Sequence, residues 1–147
     1  SAATGLAAHI SGCSESQCRN LDAYGHHLGM AFQIADDVLD YTGDSAALGK
    51  NLGDDLAEGK ATLPVIHALR HARAETQARL RQIIENGNAE AMPEVLAAIA
   101  DADSLTYSLH MAQQHAESAK AALASVPDSP WKQALIALAD YSVARTH

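Results

Sequence analysis

Apolar residues recur at helical spacing along most of the chain. Capping and helix-ending residues divide this pattern into segments. Ser14 and Gln17 form a capping box, Thr62 and Ser129 are N-caps, and Gly87 ends an apolar run. The pattern predicts helices over about 2–11, 15–42, 63–73 and 75–86, from 93 onward, over 104–125, and from 130 onward.

The composition favours helices packed on one another over a sheet. Alanine is abundant, β-branched residues are scarce, and aromatic residues make up only 4% of the chain. A length of 147 residues is enough for one domain with a real core, and no repeat or low-complexity linker divides it. The sequence therefore predicts an all-α fold in a single unit, residues 1–147.

The second predicted helix carries acidic residues among apolar ones. Asp36, Asp37 and Asp40 follow Gln33 at spacings of three, four and seven, so the four residues share one face. Carboxylates this close repel one another, and near the carboxyl end of a helix they also meet the negative end of its dipole. A cation offsets that cost, and oxygen ligands without nearby His or Cys favour Mg²⁺. The alternative is a solvated acidic helix end.

A glycine-punctuated segment follows over residues 44–60 and ends in a lysine. Seven of the 18 acidic residues lie within 36–58, where Lys50 is the only basic residue, and Lys60 closes the segment. Metal-binding acids beside lysines suit a diphosphate, because the metal bridges phosphate and carboxylate oxygens while the lysines neutralise the remaining charge. The alternative is a pair of exposed loop lysines, and spacing alone leaves both interpretations open.

Residues 25–64 resemble the second aspartate-rich motif of the trans-isoprenyl diphosphate synthases and the segment that follows it. FQIADDVLDY at 32–41 resembles the motif itself, and GDDLAEGK at 53–60 with TLP at 62–64 resembles the medium- and long-chain branch. GDDLAEGK, together with PDSPW at 127–131, is closest to the bacterial octaprenyl diphosphate synthases. The resemblance covers nearly the whole chain.

This resemblance implies a Mg²⁺-dependent enzyme that condenses isopentenyl diphosphate head to tail with an allylic diphosphate. It also implies an isoprenoid synthase helical bundle, and a homodimer when full length. It assigns roles to residues that match the motifs. They are Asp36, Asp37 and Asp40 for the metal, and Gln33, Lys50 and Lys60 for the substrate diphosphate, with catalytic roles for Asp36 and Lys50. Phe32 is a candidate for the wall of the prenyl channel or, alternatively, for the core, and Arg145 is a candidate for closing the site.

The first aspartate-rich motif of the family has no counterpart in these residues, so the chain resembles the C-terminal half of a synthase. We expect little or no turnover from it alone. An alternative is a non-catalytic helical subunit that pairs with a complete synthase. A more remote alternative is a class I terpene cyclase, which the GDDLAEGK and TLP wording disfavours.

Charge and composition limit the partners. The net charge of −8 argues against nucleic acid, and no apolar run approaches the roughly 20 residues of a membrane span. Cys13 and Cys18 form no CxxC pattern and are expected to be free thiols in a reducing cytoplasm. His67 and His71, like the other histidines, are expected to be structural or on the surface, because no HExxH motif is present.

The last predicted helix and two glycines of the second one give expectations about packing. The last helix is predicted to bury apolar side chains, namely Trp131, Leu135, Leu138 and Tyr141. Gly25 and Gly29 each cost about 1 kcal/mol relative to alanine in a helix interior, which indicates a close approach at that face. Helix packing is favoured at Gly25, and packing and substrate remain equal alternatives at Gly29.

Overall fold

The structure is a computed structural model, and it describes residues 2–42 and 54–144. Secondary structure within these residues is entirely helical, which confirms the all-α prediction. The α-helices are α1 (Ala2–Ile10), α2 (Glu15–Thr42), α3 (Asp54–Ala57), α4 (Leu63–His71), α5 (Ala74–Glu85), α6 (Met92–Asp101), α7 (Ser104–Ala122) and α8 (Pro130–Ala144), with a 3-10 helix (Ala89–Ala91) before α6.

The chain groups into two compact units, and the expectation of a single domain stays a prediction. The first unit runs up to Ala35 and resumes at His110, and the second is Asp36–Leu109. Helices α2 and α7 each contribute residues to both units. Of the residues of the aspartate stripe, Gln33 therefore belongs to the first unit and the three aspartates to the second.

The long helix α2 begins as the capping box predicts. The Ser14 backbone N–H donates to Oε1 of Gln17 at 2.9 Å, and the Gln17 N–H donates to Oγ of Ser14 at 3.4 Å. These reciprocal bonds satisfy backbone donors that the first helical turn leaves without partners. Local sequence therefore fixed the start of the helix that carries the aspartates.

The core of the first unit contains Tyr24 of α2, Ala119 of α7, Leu123 just after α7 and Ala139 of α8. Ala112, Ala116 and Ala119 of α7 are buried. The Tyr24 hydroxyl donates to the backbone oxygen of Leu135 at 3.0 Å, which ties α2 to α8. Alanines at the contact allow close helix packing without large side chains.

The burial predicted for α8 is largely wrong. Trp131 is 82% exposed, Tyr141 63% and Leu138 47%, while Ala139 and Ser142 are buried instead. Apolar residues cover more than one side of this helix, and its neighbours cover only the side that carries Ala139. Periodicity shows that a face is apolar but not which face another element covers.

The second unit has its own core, formed by α4, α5 and α6 with contributions from α2 and α3. Its fully covered side chains include Leu56, Val65, Leu80, Ile83, Val95 and Ile99. His67 joins α4 to α7, because its Nδ1 lies 3.0 Å from Oγ of Ser104 and its ring stacks on Tyr107 at 4.1 Å between centroids. This contact is structural, as predicted for the histidines.

Both cysteines are free thiols, as expected. No helix in the described ranges combines the length and apolar character that a membrane span needs.

Candidate functional site

The aspartates of α2 lie on the last two turns of the helix, within the second unit. Asp37 is 8% exposed and Asp40 is 7% exposed, whereas Asp36 is half-buried. Val38, between them, is completely covered. Burying carboxylates is costly unless hydrogen bonds or cations offset the lost hydration. Their depth disfavours the interpretation of these acids as a solvated helix end.

Tyr41 connects this helix end to the segment after α3. The Thr62 hydroxyl donates to the phenol oxygen of Tyr41 at 3.0 Å, and both side chains are buried. The pKa of Tyr41 is raised to about 12. Burial is the main cause, the bond from Thr62 opposes the shift, and the carboxylates of Asp40, Asp55 and Asp37 add to it. Tyr41 therefore remains a neutral phenol close to three carboxylates.

The cap predicted for Thr62 is wrong in its chemistry. Thr62 occupies the N-cap position of α4, with Pro64 in the first turn, but its side chain makes no capping bond. Its hydroxyl donates to Tyr41 instead. A capping signal in the sequence identifies the position, but tertiary structure offered this hydroxyl a buried acceptor from another helix.

Lys60 lies just beyond α3 and beside two acids. Its Nζ is 3.5 Å from Oδ1 of Asp55 and also pairs with the carboxylate of Glu58. The bond to Glu58 raises the pKa of Lys60, and the bond to Lys60 lowers the pKa of Glu58. The Lys60 side chain is 58% exposed and so accessible to a ligand. Asp55, an acid of the GDDLAEGK segment, therefore lies beside Lys60.

The remaining candidate residues do not belong to the group formed by the aspartates, Tyr41 and Lys60. Gln33 is exposed on α2 in the first unit. Phe32 is 46% exposed, so its assignment to the core is wrong and its role as a channel residue stays a prediction. Gly29 is exposed, and a Cβ there would meet nothing within 4 Å, so helix packing does not explain it. Lys50 and Arg145 lie outside the described residues.

The donor set of this site fits a hard cation. Carboxylate oxygens are the ligands of Mg²⁺ and Ca²⁺, and Mg²⁺ is typically held by one or two carboxylates together with substrate phosphates. Within residues 2–42 and 54–144, no three carboxylate, imidazole or thiol groups are arranged to hold a metal ion by themselves. The role of Asp36, Asp37 and Asp40 as metal ligands stays a prediction.

Sequence reasoning missed Tyr41 and Glu58. Tyr41 directly follows Asp40, on a helix whose neighbouring positions are apolar, and that placement was a signal for a buried phenol. Glu58 is two residues from Lys60, and such short-range acid–base neighbours pair readily in turns. The position of Tyr41 did not reveal its partner, because Thr62 lies 21 residues away in the sequence.

Solved structures share this arrangement of helices. A decaprenyl diphosphate synthase from Rhodobacter capsulatus matches with a TM-score of 0.88 at 40% identity, over 99% of this chain and 46% of that chain. A polyprenyl synthase from Caulobacter crescentus, complexed with calcium and isoprenyl diphosphate, matches with a TM-score of 0.83 at 41% identity, over 99% of this chain and 45% of that one. The fold of this chain is therefore the all-α fold of the polyprenyl synthases.

Sequence comparison gives the family. The profile of the Polyprenyl synthetase family matches residues 1–102, and the chain belongs to that family. The octaprenyl diphosphate synthase of Haemophilus influenzae is 49% identical over 142 residues, which is 96% of this chain and 43% of that protein. The octaprenyl diphosphate synthase of Escherichia coli is 45% identical, over 92% of this chain and 42% of that protein. The chain thus spans less than half the length of these relatives.

Proposed function

We propose that this chain forms the diphosphate- and metal-binding part of a polyprenyl diphosphate synthase. The observation that carries the proposal is the joining of two segments inside one unit. The Tyr41–Thr62 bond connects the end of α2, where Asp37 and Asp40 are buried, to the segment that carries Lys60. The octaprenyl diphosphate synthases among its relatives support an octaprenyl product.

Asp36, Asp37 and Asp40 would hold Mg²⁺, in line with the calcium and isoprenyl diphosphate bound by the Caulobacter crescentus relative. When bound, the metal supplies Lewis-acid stabilisation of a diphosphate leaving group. Asp37 and Asp40 are shielded from water, which strengthens their attraction for a cation relative to exposed carboxylates.

The proposed reaction lengthens an allylic diphosphate. The carbon–oxygen bond to the allylic diphosphate breaks, the double bond of isopentenyl diphosphate forms a new carbon–carbon bond to the allylic carbon, and a proton is lost. Inorganic diphosphate leaves with the bonding electrons. Lys50 and Lys60 bind the leaving diphosphate, and lysine suits this role as a flexible point charge. The role of Gln33 stays a prediction.

Lys60 would exchange an acidic partner for the diphosphate. Glu58 and Asp55 hold the ammonium group beside the turn, which keeps it placed before substrate arrives. Because the Glu58 side chain is 62% exposed, its ion pair with Lys60 is weak and readily replaced. A diphosphate carries more negative charge than one carboxylate and so competes effectively for this lysine.

Binding of inorganic diphosphate with Mg²⁺ to the purified chain, measured by calorimetry, tests the proposal. We expect Lys60→Ala and Asp36→Asn each to weaken binding about tenfold, the scale for losing one charge-assisted contact. Lys120→Ala is the matched control, because Lys120 also bridges two acids, Glu117 and Asp140, at 2.7 Å each. Equal losses at Lys60 and Lys120, or no loss at Lys60, contradict the proposal.

The 147-residue chain is proposed to have little turnover by itself, because its sequence contains one aspartate-rich motif, with Asp36, Asp37 and Asp40. Incubation with farnesyl diphosphate, isopentenyl diphosphate and Mg²⁺ should give no longer product. Robust synthesis would contradict this expectation. The full-length protein is proposed to be a cytoplasmic homodimer.

The rival function is a non-catalytic helical subunit that pairs with a complete synthase. The apolar surface of α8, with Trp131 at 82% exposure, favours a partner protein. A scaffold has no need for Mg²⁺-diphosphate, so the calorimetric experiment separates the two functions. Absence of binding by the parent chain, with stable association to a full-length synthase, would favour the subunit.

A further inference from the structure

Two glycines with left-handed backbone conformations lie just beyond the ends of α3 and α5. Gly59 has a φ of +69° and Gly87 a φ of +58°. After α3, the Gly59 N–H donates to the oxygen of Leu56 at 2.9 Å, and the Lys60 N–H donates to the oxygen of Asp55 at 2.8 Å. This pair of bonds is a Schellman motif with Gly59 at C′. The motif fixes the backbone of Lys60, its last residue.

A second Schellman motif ends α5. The Gly87 N–H donates to the oxygen of Ile84 at 3.1 Å, and the Asn88 N–H donates to the oxygen of Ile83 at 3.1 Å. Ile83 is 1% exposed and Ile84 is 9% exposed, so this helix end is anchored in the core of the second unit. The backbone at the end of α5 is therefore held in place by the core and can position a segment that packs against it.

The two motifs contact each other through their glycines. A Cβ on Gly87 would lie 2.7 Å from the backbone oxygen of Ala57 in α3, and a Cβ on Gly59 would lie 3.2 Å from the backbone oxygen of Ile84 in α5. A contact of 2.7 Å is closer than carbon and oxygen tolerate, and a backbone oxygen cannot rotate away as a side chain can. Only glycine fits both the conformation and the space at position 87.

We propose that Gly87 is a positioning residue for Lys60 and, through it, for the substrate diphosphate. Because Gly87 has no side chain, the backbone of α3 at Ala57 can contact the end of α5. The Schellman bonds at the end of α3 then set the backbone position of Lys60, three residues after Ala57. This inference rests on the proposed function, because it takes Lys60 to be a diphosphate ligand.

Gly87→Ala tests the inference. The new methyl group must push the Ala57 carbonyl aside, which moves the turn that carries Lys60. We expect Mg²⁺-bound inorganic diphosphate to bind about three- to tenfold more weakly, because a misplaced charge-assisted contact is partly lost. Gly12→Ala is the matched control. Gly12 has a φ of +70° but nothing within 4 Å of its Cβ, so this change introduces backbone strain without a clash and should leave binding unchanged.

A double-mutant cycle shows whether Gly87 acts through Lys60. If it does, Gly87→Ala weakens binding in the parent chain but adds nothing in a Lys60→Ala background. A purely structural role instead gives the same factor in both backgrounds. Binding is measured by calorimetry at a temperature where urea unfolding shows that every variant is folded.

The outcomes separate this inference from the proposed function. If the parent binds no diphosphate, or Lys60→Ala binds as the parent does, the proposed function fails and the inference fails with it. If Lys60→Ala weakens binding while Gly87→Ala does not, or if the two effects multiply, only the inference is overturned. If Gly87→Ala does not fold, Gly59→Ala is the substitute, because its Cβ would lie 3.2 Å from the backbone oxygen of Ile84 and so disturb the same contact between α3 and α5 less severely. Unchanged binding in that variant also overturns the inference.

Discussion

The hydroxyl of Thr62 and the phenol oxygen of Tyr41 are 3.0 Å apart, and both are buried. This one bond joins the helix that carries the aspartates to the residue that immediately precedes α4. Because the pKa of Tyr41 is raised to about 12, the bond keeps the same protonation across the physiological pH range. It is therefore a fixed link between the two halves of the candidate site.

Tyr41→Phe should destabilise the protein by about 1–3 kcal/mol, because it leaves the buried Thr62 hydroxyl without its acceptor. Tyr41→Phe combined with Thr62→Val should cost less than the sum of the single changes, since the pair is removed together. Urea unfolding measures both. Thr106→Val, at an exposed position of α7, serves as control and should change the free energy of unfolding by less than about 0.5 kcal/mol. A cost for Tyr41→Phe as small as that of the control would contradict the role of this bond.

Trp131 is the only tryptophan, so its fluorescence reports on α8 alone. At 82% exposure, it should be quenched by acrylamide nearly as well as free indole, in the folded and the unfolded chain alike. Trp131→Ala should change the free energy of unfolding by less than about 0.5 kcal/mol. Leu123→Ala, at a fully covered position, should cost about 2–5 kcal/mol. Strong shielding of Trp131 from quencher would show that a partner or second copy covers this face.

Gly29→Ala should stabilise the chain by about 0.5–1 kcal/mol, because alanine is the better helix former and a Cβ there meets nothing within 4 Å. The midpoint of urea unfolding measures the gain. Affinity for farnesyl diphosphate distinguishes the remaining explanation. A variant that is more stable but binds this allylic diphosphate more weakly would indicate that Gly29 allows the substrate to approach. A loss of stability would contradict the finding that a Cβ at Gly29 contacts nothing.

The His27 and His115 rings meet through their Nδ1 atoms at 2.9 Å, so one ring must accept the bond in its neutral form. Burial, followed by the nearby His27 and His26, lowers the pKa of His115 below its usual 6.5. The unfolded chain then takes up a proton at higher pH than the folded chain. The free energy of unfolding should therefore be unaffected above the unfolded pKa and fall as the pH drops from there towards the folded pKa.

Urea unfolding between about pH 7.5 and about pH 5 measures this fall. His115→Gln removes the titrating group and should flatten the profile across that window. An equal slope in the variant and in the parent would show that other groups cause the acid sensitivity.

Local features were predictable from sequence because their causes are local. The capping bonds between Ser14 and Gln17 join residues three apart, and α2 begins at Glu15 and ends at Thr42 as the pattern predicted. The end of α5 before Gly87 was equally clear, since a glycine at C′ is a backbone requirement. The acidic stripe was visible for the same reason, because helical spacing alone brings its residues to one face.

Exposure was not predictable in the same way. Phe32 and Trp131 have apolar side chains of the kind found in cores, but they lie on the surface. Asp37 and Asp40 have charged side chains of the kind found on surfaces, but they are buried. Which side of an amphipathic helix is covered depends on elements far away in sequence. Hydrophobicity sets a preference for burial, but the packing of the other helices decides where burial is available.

The sequence by itself determined that this protein is helical, where its long helices begin, and that three aspartates resemble one aspartate-rich family motif followed by a lysine-containing segment. Tertiary structure alone decided that Thr62 bonds to Tyr41 instead of capping α4, and that Gly87 rests against Ala57, 30 residues earlier. Helix formation and capping are governed by neighbours within one turn. Contacts between distant backbones depend on how whole helices pack, so the chain must fold before Lys60 acquires its place.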